Sequence, residues 1–163
     1  MQTMDDHTQD STVGPPDGSP TGWDPKAQRW THASLRRATI HGVRLFNAGA
    51  YHESHDCFED EWYNYGHGTV ESAYLHGMVQ IAAGVYKRID YDNDDGLRQL
   101  FGTASSYLQS VPADFYGLDV DDVRRRATLA IETPSVVDDW KLRLDGETPT
   151  ATPDDFAYVD ELE

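Results

Sequence analysis

Between residues 31 and 133 the apolar residues recur every three or four positions. Nowhere do they alternate over a run bounded by hairpin turns, so no sheet is predicted. That pattern confines the chain to an all-α fold, a single-domain bundle of about five antiparallel helices joined by short connections. The first helix is predicted at Thr31–Asn47, with Leu35, Ala38, Thr39, Gly42 and Phe46 on one side and Gly49 as its stop. The second spans Ala50–Tyr63, with Tyr51, His55, Phe58 and Trp62 sharing an inner stripe. A turn rich in breakers, Asn64–Gly68, follows. Thr69 caps the third helix, Val70–Ile89, which turns Val70, Tyr74, Met78, Ile81 and Val85 inward. Asp92–Gly96 makes the next turn. The fourth helix runs to Ser110 with Leu97, Leu100, Phe101, Ala104 and Leu108 on one face, and Pro112 ends it. Asp119 is the expected N-cap of the fifth, which turns Val120, Val123, Ala127 and Ile131 inward and stops before Pro134. Val136, Val137, Trp140 and Leu142 suggest a short sixth helix.

The third helix carries a second stripe of small residues, Ala73, Gly77 and Gly84, with Gln80 among them. Each glycine costs about 1 kcal/mol of helix propensity against alanine, a cost that close helix packing offsets. Gln80 is therefore expected at a tight contact, where its amide needs hydrogen-bond partners.

Both ends differ from this middle. Residues 1–28 form a Pro- and Gly-rich arm, 29–133 the helical domain, and 134–163 an acidic tail. Aromatic residues in these ends (Trp23, Trp30, Trp140, Phe156) are read as exposed surfaces that want a partner, and the chain is expected to form a homo-oligomer. The first residues carry neither a basic leader nor an apolar run, so no signal peptide is expected. No stretch is apolar enough to span a membrane. Cys57 is the single cysteine, which excludes an intrachain disulfide and suits a reducing cytoplasm. It has no sequence-local activating base and is read as inert.

Asp plus Glu number 29 against 13 Lys plus Arg, a formal charge of −16. Such a charge repels itself in dilute buffer, where the Debye length reaches about 30 Å, and much less at molar salt, where it is about 3 Å. The composition therefore points to a salt-rich, halophilic cytoplasm. It also disfavours non-specific nucleic-acid binding, which needs basic contacts to phosphate. Arg124, Arg125 and Arg126 are read as a solvated face or a clamp for the acidic tail, and His7, His32, His41 and His67 as surface residues.

The chemistry-bearing cluster lies on the second and third helices. His55 and Glu59 are i, i+4 neighbours, Asp56 lies further round, and His76 and Gln80 form a second i, i+4 pair across the turn. A histidine held by a carboxylate can serve as a general base or a metal ligand. His55 with Glu59 is thus a candidate catalytic pair. His55, Asp56, Glu59, Trp62 and Gln80 are the candidate ligand-binding set, and His52, His55, Glu59 and His76 a chemically sensible metal set. HESH lacks the spacing of a zinc-protease helix, and no cofactor is indicated. The competing reading is a buried staple, with His55 donating to Glu59 and Gln80 closing the network.

Two segments resemble a known family. Phe46-Asn47-Ala48-Gly49-Ala50-Tyr51-His52-Glu53-Ser54-His55-Asp56-Cys57-Phe58-Glu59-Asp60-Glu61-Trp62 is similar to F-N-x-G-x-Y-x-E-A-H-E-x-x-E-x-x-W, and Tyr74–Ala83 to F-L-Q-G-L-I-Q-x-A-A. Both patterns belong to the bacterial and archaeal proteins grouped as domain of unknown function 309. The resemblance runs over about residues 35–132. It implies a small all-helical domain and supplies no activity. His55, Glu59, Trp62, Gly77 and Gln80 match the pattern, Asp56 shortens its acid, and His52 and His76 depart from it. That departure weighs against a metal set built on His52 and His76. A binding or interaction domain with a His–Glu–Gln pocket, a small enzyme using His55, a metal-binding protein and a purely structural network remain open.

Overall fold

Ten residues of helix α3 (Val70–Tyr91) are buried, and two of them are glycines. A Cβ on Gly84 would stand 2.6 Å from Phe101 Cε1, and one on Gly77 would stand 2.5 Å from Leu108 Cδ2. These bare positions let α4 (Asp94–Leu108) lie directly on the α3 backbone, as the small-residue stripe predicts. A third such contact joins α1 (Ala33–Asn47) to α2 (Tyr51–Trp62), where a Cβ on Gly42 would come within 2.6 Å of the Phe58 ring. Helix α5 (Val120–Glu132) packs on α4, and α6 (Pro153–Leu162) lies on α1 and α2. The computed structural model describes residues 20–162, so His7 and most of the expected arm lie outside the described residues.

The caps follow the sequence. Thr69 accepts from Ser72 N, and Asp119 accepts from Asp122 N. The turn expected at Asp92–Gly96 is shorter. Asp92 closes α3 in the left-handed region, and Asn93 accepts from Gly96 N, so α4 begins at Asp94. Two corrections concern strands and the last helix. Small antiparallel hairpins pair Trp23–Asp24 (β1) with Arg29–Trp30 (β2), and Asp114–Phe115 (β3) with Leu118–Asp119 (β4). Strands of two residues carry no periodicity to detect. The expected sixth helix at Val136–Leu142 is instead a 3-10 turn, Pro134–Val137, followed by irregular chain, and among the described residues the sixth α-helix is Pro153–Leu162.

The terminal aromatics are not free surfaces. Trp30 and Trp140 are each 2 % exposed and belong to the core, Trp23 packs against it half-buried, and Phe156 alone of the four is exposed. Trp30 stacks on Tyr116 and lies under the Arg36 guanidinium, 4.5 Å away. Arg36 is itself buried, donating to the Tyr116 carbonyl at 2.8 Å and to Asp145 Oδ2 at 2.5 Å. The Asn47 amide donates to the Leu142 and Pro149 carbonyls and accepts from Leu142 N. These polar ties fix residues 140–149 against α1, which a helical period cannot foretell. The three consecutive arginines also divide. Arg124 donates to the carbonyls of Leu108 and Val111, Arg126 donates to that of Val136, and Arg125 stays on the surface with Asp121 and Asp122.

His41, expected on the surface, is buried beneath α6. Its Nδ1 lies 2.7 Å from Asp155 Oδ1, and its ring stacks on Tyr158 at 4.0 Å. Asp155 also accepts from Thr152 N and Thr152 Oγ1, and Arg44 stands 3.7 Å away. Burial pushes the His41 imidazole below its ordinary 6.5; Asp155 opposes that shift, while Arg37 and Arg44 add to it. The unfolded chain therefore takes up the proton first, and stability falls as pH drops through 6.5 toward the native value. Urea midpoints measured from pH 8 to pH 5 are expected to decline on the acid side. His41→Gln, which keeps a donor for Asp155 and does not titrate, is expected to flatten that decline.

Candidate functional site

The inner face of α2 consists of Tyr51, Ser54, Cys57, Phe58 and Glu61. The sequence stripe of Tyr51, His55, Phe58 and Trp62 is thus displaced around the helix. Two polar residues account for the difference, because both find partners inside. Ser54 Oγ donates to the Gly42 carbonyl at 2.7 Å. Glu61, 4 % exposed, accepts from Ser34 Oγ and from Tyr65 OH, both at 2.7 Å and both on Oε2. Burial, with the Glu61 carboxylate second, pushes the Tyr65 hydroxyl far above its ordinary value, so it stays a donor. Cys57 is fully buried, and desolvation raises its thiol well out of the reactive range, as the inert reading expects.

His55 consequently sits on the flank, with its side chain 24 % exposed. Its Nδ1 lies 3.1 Å from Asp56 Oδ1, within hydrogen-bond distance, while Nε2 is 3.9 Å from Glu59 Oε2. Asp56, not Glu59, is therefore the closer orienting carboxylate. Its second oxygen faces His52 Nδ1 at 3.5 Å. One ligand atom each from His55, Asp56 and Glu59 lie within 4.8 Å of one another.

Beside this group a pocket of about 180 Å³ opens between α2 and the end of α3, lined by His52, His55, Ala83, Tyr86, Lys87 and Tyr91. The Tyr86 and Tyr91 hydroxyls are 3.3 Å apart, and Lys87 Nζ stands 5.7 Å from the Tyr91 ring centre. The bond to Tyr91, aided by desolvation, pushes Tyr86 up to about 12, so its hydroxyl keeps its proton at neutral pH.

The other sequence candidates lie elsewhere. His76 stacks between Tyr107 at 4.0 Å and Trp62 at 4.4 Å, and Trp62 Nε1 donates to Ser72 Oγ. A metal set uniting His52, His55, Glu59 and His76 is therefore not assembled among the described residues. Gln80 is half-buried and makes no side-chain hydrogen bond to His55 or Glu59 among the described residues, so the closed staple is not formed there. Sequence reasoning missed Tyr86, Lys87 and Tyr91. They stand three, four and eight residues after Ala83 on the same helix, the spacing of one helical face, and that was the available signal. A larger pocket, about 360 Å³, lies against the β3–β4 hairpin and is lined by Asp114, Asp119, Asp121, Asp145 and Arg143. None of the candidate residues reaches it.

Fold and site together define a small all-helical domain with a polar surface pocket. Residues 39–100 match the family model described as domain of unknown function (DUF309). The match is narrower than the span over which the motifs resemble the family, and it includes all of α2 and α3. No curated protein matches the chain. Among the described residues no helix is long and apolar enough to cross a membrane.

Glu61 and Asp56 separate structural from surface carboxylates. Glu61→Ala leaves two half-buried hydroxyls without their acceptor and is expected to cost about 1–3 kcal/mol by urea denaturation. Asp56→Ala, on a partly exposed pair, is expected to cost less than about 1 kcal/mol.

Proposed function

We propose that this chain is a ligand-binding domain, and that its site is the pocket between α2 and α3 centred on His55. The observation that carries this reading is His55 itself. Its ring lines the pocket while Asp56 holds Nδ1, leaving Nε2 beyond hydrogen-bond reach of Glu59. An imidazole oriented in this way presents its free nitrogen to a ligand.

The lining favours a small acid with a flat apolar body. Lys87 is one of three lysines in a chain of formal charge −16, and it stands at the pocket with two histidines and two tyrosine hydroxyls. The tyrosine rings supply the apolar walls that small-molecule sites use, and the polar groups fix orientation. We read the rest of the setting, a salt-rich cytoplasm, from composition alone. Titration of isotope-labelled protein with benzoate is the test. Saturable shifts at His52, His55, Lys87 and Tyr91 are expected in the millimolar range, with loss in His55→Ala and Lys87→Ala at unchanged thermal midpoints. Shifts that never saturate, or that survive both substitutions, contradict the proposal.

A second reading rests on the mutual approach of His55, Asp56 and Glu59. A divalent cation needs donors about 2.0–2.2 Å from the metal, so the group would have to contract. Zinc titration distinguishes the two, since metal binding requires Glu59 and benzoate binding does not.

A further inference from the structure

Helix α6 is packed apart from the main core. Tyr158 and Val159 form a cluster with Leu45 of α1 and Cys57 of α2 that shares no residue with that core. A ten-residue helix is marginal in water without such packing, and elements held this way open locally while the core stays folded. The polar contacts run to a single stripe of α1, where Arg37, His41 and Arg44 recur at the spacing of one helical face. Arg37 lies over the Tyr158 ring, 4.7 Å from its centre, and the His41 ring stacks on Tyr158 at 4.0 Å. Asp155 bonds His41 at 2.7 Å, and Arg44 stands 3.7 Å from it. Against this stripe α6 brings Asp154, Asp155, Asp160 and Glu161 and no base. The connection to α6 is short. The Pro149 carbonyl accepts from Asn47, and Thr152 donates to Asp155 from N and Oγ1, so Thr150 and Ala151 alone bridge the two anchors. Pro149 and Pro153 flank that bridge, and a residue preceding proline is held extended.

We infer that the seam between α1 and α2 is a helix-docking site, that α6 closes it as a detachable strap, and that its occupant in trans is α6 of a second copy of this chain. Charge complementarity selects the occupant: the seam offers two guanidinium groups and an imidazole, and α6 is an acidic helix already fitted to them. Each of these contacts is remade when two chains exchange the helix, so exchange costs only the loss of freedom on association. A short bridge stiffened by two prolines favours that exchange. The seam shares no residue with the His55 pocket and is independent of it.

Cys57, fully buried in the seam, reports whether it is covered, through its rate of reaction with 4,4′-dithiodipyridine. Measurements are made in about 1 M KCl, where the Debye length of about 3 Å suppresses repulsion between the acidic chains. Deleting Thr150 and Ala151 from the full chain shortens the tether by about 7 Å, so α6 no longer reaches its own seam. At millimolar concentration this variant is expected to sediment as a dimer with Cys57 as protected as in the parent chain. Dilution to the monomer is expected to raise the labelling rate by about tenfold or more. Adding Tyr158→Ala to the deletion is expected to abolish the dimer. A second arm keeps the tether intact. Tyr158→Ala alone is expected to label Cys57 about tenfold or more faster than the parent chain, with the helical circular dichroism of the bundle retained. A synthetic peptide of residues 150–162 in excess is expected to restore protection, and the same peptide carrying Asp155→Ala is not. A deletion variant that stays monomeric at millimolar concentration, a dimer that survives Tyr158→Ala or leaves Cys57 reactive, or a Tyr158→Ala chain that the peptide fails to protect would each overturn the inference.

Discussion

The Phe58 ring occupies the space where a side chain at residue 42 would project, and a Cβ there would come within 2.6 Å of it. That contact sets the distance between α1 and α2 and the angle through which α2 is turned about its axis. Ser54 reinforces the same angle by donating to the carbonyl of Gly42. With Phe58 and Ser54 fixed, the 100° step of a helix decides the rest. Cys57 and Glu61 point inward, and His52, His55, Asp56 and Glu59 are carried to the flank or the surface. The α3–α4 pair uses the same device at Gly77 and Gly84, and α3 in turn supplies the opposite wall of the His55 pocket.

Much of this was legible in the sequence, for identifiable reasons. The period of 3.6 located α1 to α5, and side-chain capping marked Thr69 and Asp119, because both signals are local. The glycines of α3 announced a close helix neighbour, since glycine in a helix needs compensation. The orientation of α2 was misread by the weight placed on aromatic residues. Trp62 is large and apolar, yet it sits half-buried at the edge, donating to Ser72 and stacking on His76. Ser54 and Glu61 are polar, yet they are buried because Gly42, Ser34 and Tyr65 satisfy them. Those partners are remote in sequence or lie beyond the helix end, so no wheel drawn on α2 alone reveals them. The same limit hid His41 under α6 and Trp140 beside Phe46, where single side-chain contacts across about a hundred residues decide burial.

The two faces of α2 consequently carry different chemistry. The flank offers an oriented imidazole with Lys87 and two tyrosine hydroxyls nearby, a setting for an acid. The opposite side carries Glu61, buried and accepting from Ser34 and Tyr65, with Arg37 and the exposed Asp60 and Glu161 nearby. The family match over residues 39–100 covers the first of these but only Asp60 and Glu61 of the second; Ser34 and Arg37 on α1 and Tyr158 and Glu161 on α6 lie outside it. Of the sequence candidates, His55, Asp56 and Glu59 come together, Trp62 and His76 form a separate aromatic contact, and Gln80 stands apart from both.

The rotation of α2 is the claim on which the His55 pocket and the buried Glu61 both depend. Histidine C2 proton exchange, followed by mass spectrometry in deuterated buffer, reads it directly. His52 and His55 are expected to exchange at rates near those of an exposed imidazole, and His41, 8 % exposed under α6, far more slowly. Protection of His55 equal to that of His41 would place His55 inside the bundle and contradict the account.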